Sequence, residues 1–266
     1  MKHLVCPLCS LALIANTQGV FCANHHQFDR AKEGYLNLLP VHHKNSREPG
    51  DAKEQLMARR EFLAAGYFSP LLEALKAVVS SDTQSLLDIG CGEGYFTRQL
   101  AAHCSKADIY GIDISKSGVR LAAKSGAHNQ TYVVASSHQL PIATKSMDLL
   151  LRIYAPSKDS ELARVLSAGG RLVIVTPGEQ HLLSLRTQIY KEVLKHPKPT
   201  VPVGFHELCS SEICFPLKVP AGALSAALLE MTPFAWKLSA AQKSEFADRG
   251  IVDSAHFQVA QYALNA

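Results

Sequence analysis

Four residues near the start of the chain have the types and spacing of a metal site. Cys6 and Cys9 form a knuckle in Cys6-Pro7-Leu8-Cys9, Cys22 follows, and His26 comes after three intervening residues. Three soft thiolates and one imidazole suit tetrahedral zinc. His25 is a rival fourth ligand, because spacing alone does not rank adjacent histidines. Four protein ligands leave no open coordination position, so the metal is expected to be structural. A second chemical feature lies mid-chain. The apolar run Leu86-Leu87-Asp88-Ile89 enters Gly90-Cys91-Gly92-Glu93-Gly94, and a helix-forming segment follows from Tyr95. Such a turn brings backbone N–H groups and a helix N-terminus up to a ligand, because glycine has no Cβ to block the approach.

The glycine spacing separates two classes of ligand. A dinucleotide fingerprint needs G-x-G-x-x-G. Counted from Gly90, its third glycine would fall on Tyr95. The D-x-G-x-G-x-G arrangement of Asp88, Gly90, Gly92 and Gly94 instead resembles motif I of the class I S-adenosylmethionine-dependent methyltransferases. Asp113 ends a second apolar run, Ile109-Tyr110-Gly111-Ile112-Asp113, and an acidic side chain there can accept hydrogen bonds from both ribose hydroxyls of a nucleoside cofactor. Further on, Glu161–Leu166 reads as an amphipathic helix, Ala168-Gly169-Gly170 as a turn, and Arg171–Pro177 as an apolar strand. These three matches, in order, resemble the same superfamily.

The elements that must position these residues alternate. Strands are expected near Ser85–Ile89, Asp108–Asp113, Thr131–Ala135, Met147–Ile153 and Gly170–Thr176, and helices over Tyr95–His103, Lys116–Ser125 and Ser160–Leu166. That alternation predicts an α/β fold with a doubly wound, mostly parallel, Rossmann-like sheet and helices on both faces. Residues 1–40 read as a small separate ribbon stapled by the metal, 41–80 as a linker and helical segment broken near Gly66 and Pro70, and 81–266 as the catalytic domain. A helix is expected over Leu182–Lys195, a strand over Ile213–Val219, and a final antiparallel edge strand over Ile251–Leu264. Cys209 and Cys214 read as core thiols, and Cys91 and Cys104 as non-ligands.

Composition sets the outer bounds. The 266 residues are 47% apolar and 19% charged, enough for a sizeable core. The net charge of +4 permits a nucleic-acid partner without requiring one. Residues 41–60 hold Lys44, Arg47, Lys53, Arg59 and Arg60 against Glu48, Asp51 and Glu54, whereas from Lys195 onward six basic residues meet six acidic ones. A basic patch is therefore expected near the N-terminus, with a solvated helix face as the bland alternative. No apolar run approaches a membrane span. Leu4–Ala15 superficially resembles a secretory segment, but Pro7 and two cysteines interrupt it. Seven cysteines, an odd number, in a chain too large to need disulfide staples fit a cytoplasmic setting.

Read together, the ribbon and the methyltransferase-like core resemble one family, the bacterial 23S rRNA (guanine-N1)-methyltransferases. The resemblance rests on long strings: His26-Gln27-Phe28-Asp29, Ala31–Pro40, Pro49-Gly50-Asp51, Ala135-Ser136-Ser137-His138, Arg152-Ile153-Tyr154-Ala155-Pro156 and Met231-Thr232-Pro233-Phe234-Ala235-Trp236. It implies S-adenosylmethionine as cofactor, one structural zinc ion, and methyl transfer to N1 of a guanine in a domain II hairpin of 23S rRNA. The wording of the chain is closer to the Gram-negative branch of that family than to the Gram-positive one. Phe68 and His181 would line the cofactor pocket with Asp88, Gly90, Gly92, Glu93, Gly94 and Asp113. Many class I enzymes place an acidic residue after the third strand to meet the adenine amino group. Ser136 stands there, so a backbone amide, a serine hydroxyl or His138 would take that contact.

Guanine N1 carries a proton at neutral pH, so a group must accept it or stabilise the charge developing on O6. No residue declares itself as that base. Tyr154 and Pro156, after the fourth strand of the core, are candidates for the substrate pocket, Tyr154 either stacking on an extruded base or serving as a core aromatic. Trp236 either lines the same pocket or packs internally. The ribbon and the stretch around Arg47, Arg59 and Arg60 are expected to grip the RNA backbone. Two other readings are a small-molecule methyltransferase with an appended ribbon and a non-catalytic RNA-binding protein. Oligomeric state is open, a homodimer included.

Overall fold

The computed structural model describes residues 1–40, 49–197 and 199–265. Arg47 and the polar stretch around it lie outside the described residues. The N-terminal ribbon contains a three-stranded antiparallel sheet of β1 (Ile14–Ala15), β2 (Gly19–Phe21) and β3 (Gln27–Asp29). The Asn16 side chain accepts the N–H groups of Gln18 and Gly19, which closes the turn between β1 and β2. A fourth short strand, β4 (Leu36–Asn37), leaves the ribbon and pairs in parallel with the main sheet.

That sheet has eight strands. To β4 it adds β5 (Ser85–Ile89), β6 (Asp108–Asp113), β7 (Gln130–Val134), β8 (Met147–Ile153), β9 (Leu166–Pro177), β10 (Phe205–Val219) and β11 (Ile251–Leu264), in the order β10-β11-β9-β8-β5-β6-β7-β4. The pairs from β4 to β9 are parallel, and β11 runs antiparallel to both β9 and β10. The order reverses at β5, so a crevice opens at the carboxyl ends of β5 and β8, where ligands bind in such sheets.

Burial of both faces explains why the central strands read as continuous apolar runs. Side chains alternate between two layers. Leu86, Leu149, Leu151, Val173 and Val175 face a layer with Phe62 and Leu63 of α1 (Lys53–Ala64), Leu71 and Leu75 of α2 (Ser69–Val78), Leu100 of α3 (Tyr95–His103) and Leu228 of α7 (Ala223–Glu230). Leu87, Tyr110, Ile112, Leu150 and Leu172 face the other layer, where Leu162 and Val165 of α5 (Asp159–Val165) join Leu4, Leu13, Val20, Leu36 and Leu38 of the ribbon. A smaller layer packs Val119 and Ala122 of α4 (Lys116–Lys124) on Tyr132 and Val134. The ribbon thus contributes side chains to the sheet's own core. It is also tied by main-chain bonds, Val5 N–H to Pro141 O at 3.0 Å and Ala143 N–H to His3 O at 2.8 Å.

Several expectations need correction. The last strand, β11, is interior, and β10 is the edge. β10 starts at Phe205 rather than Ile213, and its open side leaves Cys209 and Cys214 exposed, so neither is a core thiol. α6 (Leu183–Ile189) stops well short of Lys195. Gly169 and Gly170 do not close a helix; they lie within β9, opposite a register shift between Met147 and Leu149 of β8. The helices α7 and α8 (Ala240–Arg249) lack a clear amphipathic period, although Ser239 and Gln242 form a capping box at the start of α8 and Gly250 ends it. α7 is almost uniformly apolar, and α8 buries only Phe246. Among the described residues no helix is long and apolar enough to cross a membrane.

Candidate active site and metal centre

In the ribbon, the ligand atoms of Cys6, Cys9, Cys22 and His26 lie within 4.8 Å of one another. Cys6 Sγ is 3.4 Å from His26 Nδ1, Cys22 Sγ is 3.5 Å from the same nitrogen, and Cys9 Sγ is 3.6 Å from Cys22 Sγ. A tetrahedral zinc with bonds of about 2.3 Å to sulfur and about 2.05 Å to nitrogen spaces its ligands by about 3.5–3.8 Å. The donor set and its spacing therefore fit zinc. His25 takes the left-handed turn position, with φ of 60°, and its N–H donates to Cys22 O at 2.9 Å. That turn brings His26, and not His25, into the cluster.

At the end of β5 the chain turns sharply. Gly90, Gly92 and Gly94 all have positive φ, of 78°, 54° and 79°. The N–H groups of Gly90 and Cys91 both donate to Ile112 O, at 2.8 and 3.1 Å, so the loop is tied to β6. A Cβ on Gly90 would sit 2.3 Å from Ala155 Cβ. The glycine loop and the loop after β8 are thus pressed together, which only glycine allows. Asp88 is buried below the loop and accepts the Thr97 hydroxyl at 2.5 Å. Burial, with Asp113 adding to it, pushes its carboxyl up to about 7. Glu93 is also buried; one oxygen accepts the Tyr95 N–H at 3.0 Å and the other pairs with Arg98 at 2.9 Å. Its carboxylate therefore shapes the start of α3, and it would meet a cofactor through its main chain. Burial, with the carboxylates of Asp113, Asp88 and Glu93 adding to it, raises the Cys91 thiol well above its ordinary range, which keeps it protonated.

Asp113 stands at the end of β6. Its two oxygens accept the N–H groups of Gly92 at 2.8 Å and Ser115 at 2.7 Å. Each oxygen keeps a second lone pair, so a vicinal diol can still donate to it. The Pro49-Gly50-Asp51 turn packs on this corner, where a Cβ on Gly50 would lie 2.8 Å from Ser115 Cβ. Asp51 pairs with Arg59 at 2.6 Å, and Arg59 reaches over Gly92. Arg59 is therefore part of the wall around the glycine loop. Arg60, on the next face of α1, donates to Ser125 Oγ at 3.1 Å. His138 is exposed beyond β7, with its N–H on Ser136 Oγ at 3.2 Å.

The other side of the crevice is aromatic. Phe68 is buried, with its ring 5.3 Å from Phe62, 5.0 Å from Phe257 and 6.3 Å from His181. His181 lies 4.9 Å from Phe257 and 6.1 Å from Tyr154. The His256 N–H donates to His181 Nδ1 at 3.2 Å, which places the ring proton on Nε2. Burial, with His196 next and Arg186 further behind, lowers its pKa to about 3. Tyr154 is 47% exposed and holds φ of 54°, an uncommon conformation for a bulky side chain. Pro156 is exposed beside it. Trp236 is 73% exposed, so it is not an internal packing residue.

The structure thus links Phe68, His181 and Tyr154 through ring contacts, and joins the glycine loop to Ala155 on one side and to Asp113 on the other, at the carboxyl ends of β5, β6 and β8. Sequence reading missed Thr97, His256 and Phe257, which hold those residues in place. Each looks like an ordinary helix or strand residue, and only the strand order makes them neighbours. Asp51 was visible as a turn signal, but its pairing with Arg59 was not.

Strand order, glycine loop and acidic corner together define a class I S-adenosylmethionine-dependent methyltransferase preceded by a zinc ribbon. A methyltransferase solved in complex with the Haloferax volcanii Trm112 methyltransferase activator shares the fold, with a TM-score of 0.52 at 17% identity over 79% of this chain and 94% of that one. The family model described as "RlmA, N-terminal", a zinc ribbon, matches residues 4–47, and a methyltransferase-domain model matches residues 86–170. The 23S rRNA (guanine(748)-N(1))-methyltransferase of Streptomyces fradiae is 30% identical over 190 residues, 70% of this chain and 67% of that protein. A Bacillus subtilis protein provisionally named a 23S rRNA (guanine-N1)-methyltransferase is 31% identical over 199 residues, 70% of this chain and 68% of that protein. The chain belongs to the 23S rRNA (guanine-N1)-methyltransferase family.

Proposed function

We propose that the chain transfers a methyl group from S-adenosylmethionine to N1 of a guanine in a domain II hairpin of 23S rRNA, in the cytoplasm. The observation that carries this reading is the contact between Gly90 and Ala155, which puts a nucleoside-binding loop directly against the Tyr154–Pro156 segment. The zinc ribbon and the family relatives point to RNA as the substrate.

The crevice suits the cofactor. When bound, S-adenosylmethionine supplies an electrophilic methyl group on a sulfonium. Asp113 accepts the ribose hydroxyls, while Phe68 and the Nε2–H of His181 line the far end. Ser136, Ser137 or His138 takes the contact made elsewhere by an acidic residue. Glu93 is paired with Arg98 and the Asp88 carboxyl is pushed up to about 7, so Asp113 is the acidic group the loop leaves to a ligand.

Tyr154 projects from the strained corner after β8 and stacks on the extruded guanine. Pro156 stiffens that segment, and main-chain groups of residues 155–157 read the base edge. With the cofactor bound, these residues would hold N1 in line behind its methyl group, and the N1 proton displaced by the transfer would leave to water. Arg60 and Arg47 contact phosphates and position the hairpin. Arg59 joins them only from its pair with Asp51. The ribbon adds a second grip on the RNA, or a contact between two copies of the chain.

The test is methyl transfer from labelled cofactor to unmodified 23S rRNA with the modified base mapped. Label appearing as 1-methylguanine in a domain II hairpin is expected. Cofactor binding without transfer to free rRNA or to ribosomal particles would overturn the reading.

A further inference from the structure

Trp236 is the chain's only tryptophan and sits on a rigid mount. It ends a short 3-10 helix, Pro233–Trp236, whose Pro233 fixes the first turn. Ala235 is 4% exposed, and Phe234 packs against the core and against Tyr190, ring centres 6.0 Å apart. The segment is thus anchored from inside, while the indole, 73% exposed, is turned out to solvent. A fixed and uncovered indole offers a flat apolar face with a polar N–H at its edge.

Its surroundings say what kind of partner fits that face. Tyr190 follows directly on α6, and α6 starts directly after Leu182, next to His181. A seven-residue helix rises about 10 Å, so the indole mount lies within a few nucleotides' reach of the crevice. Arg186, buried in α6, donates to the carbonyls of Glu179 and His181 at 3.4 Å and to that of Leu194, so the His181 loop and the segment after Tyr190 are fastened together. Lys191 follows Tyr190 and Lys237 follows the indole, whereas Lys195 is paired with Glu179 at 3.3 Å. Lys191 and Lys237 are exposed. An exposed aromatic face with lysines beside it, close to a base-modifying crevice, fits a polyanion that carries flat rings.

We propose that Trp236 is a stacking platform for an unpaired nucleotide of the RNA that flanks the methylated guanine. This rests on RNA being the substrate. Stacking needs no hydrogen-bond match, so the platform holds the strand beside the target without reading its sequence. Hairpin loops supply such partly unstacked bases.

The probe is the domain II hairpin of 23S rRNA, transcribed alone and end-labelled. Binding is followed by anisotropy of the label, and the platform by selectively excited tryptophan emission, which reports on this one residue. Wild-type emission is expected to be quenched in step with binding. Trp236→Ala should weaken hairpin binding about five- to a hundredfold and Trp236→Phe by much less, with cofactor affinity unchanged in both. Anisotropy rising with unchanged emission, or Trp236→Ala binding as wild type does, would overturn the platform while leaving the substrate intact. Hairpin that does not bind wild-type protein at all would overturn the RNA reading, and the platform with it. Emission that changes on concentrating the protein alone would assign the indole to a contact with a second copy and overturn the proposal.

Discussion

The main-chain N–H of His256 and the imidazole of His181 form a hydrogen bond of 3.2 Å that fixes where the His181 proton sits. Nδ1 is the acceptor, so Nε2–H is a permanent donor at the edge of the crevice. Protonation would cost Nδ1 its role as acceptor of the His256 N–H and leave Nε2–H in place. Burial, His196 and Arg186 keep the ring neutral down to about pH 3.

His181 makes stability depend on pH. The imidazole's ordinary pKa is 6.5, and its folded value is about 3. Above 6.5 it is neutral in both states and has no effect. Below 6.5 the unfolded chain takes up the proton and the folded chain does not, so stability falls with pH until about 3. The slope from this group alone is at most about 1.4 kcal/mol per pH unit. His181→Phe should flatten the fall of the melting temperature between pH 6.5 and 4, and raise KM for the cofactor about tenfold through the lost donor. Parallel melting curves for the two proteins would refute the assignment.

Asp88 acts in the opposite sense. Its carboxyl, ordinarily near 3.8, is raised to about 7 by burial and by Asp113. The folded state therefore holds a proton more tightly than the unfolded one. Its contribution is fully present below pH 3.8 and is lost as pH rises through about 7. Asp88→Asn keeps an acceptor for Thr97 and carries no charge. It is expected to melt higher than wild type at pH 8, with the gap closing toward pH 4. Scanning calorimetry at the two pH values decides this, and a variant that melts lower at pH 8 contradicts it.

Gly90→Ala should damage the crevice and leave most of the fold. The new methyl would meet Ala155 Cβ at 2.3 Å, and φ of 78° is unfavourable for alanine. The backbone term alone costs about 1–2 kcal/mol. Because the clash pushes the Tyr154 corner away, kcat with rRNA should fall more than tenfold while the protein remains folded by circular dichroism. Wild-type turnover would show that the two loops can separate at no cost.

Removing zinc should weaken the whole domain. Leu4, Val20, Leu36 and Leu38 share a core with Ile112, Val133 and Leu150. Metal binding in peptide-sized sites is worth about 10–16 kcal/mol in apparent terms. Chelation, or Cys22→Ser, is expected to lower the melting temperature and to speed amide exchange in β7 and in the ribbon. Exchange that rises in residues 1–40 alone would mean that the two parts melt independently.

Much of the core was legible from residues 81–177. β5, β6, β8 and α3 fall at the expected limits because each joins a strong apolar period to an unambiguous glycine or polar boundary. The metal ligands were equally legible, apart from the choice between His25 and His26, which one left-handed residue decides. The C-terminal third was not. β11 alternates like an edge strand but is covered by β10, a strand so exposed that its own sequence carries little apolar signal. Pairing between strands distant in sequence supplies what local pattern lacks. The same holds for the site. Asp113 and the glycines announce themselves, whereas Thr97 and His256 matter only through partners that the fold brings to them.

β4 joins the sheet for only two residues, Leu36 and Asn37, but it lies along β7, which would otherwise be the outermost strand on that side. The metal-bearing ribbon is therefore also a stopper. A chain stripped of its zinc bares a row of unpaired backbone groups, the kind of template on which proteins clump. Metal starvation would then be felt first as insolubility and only afterwards as missing methyl marks.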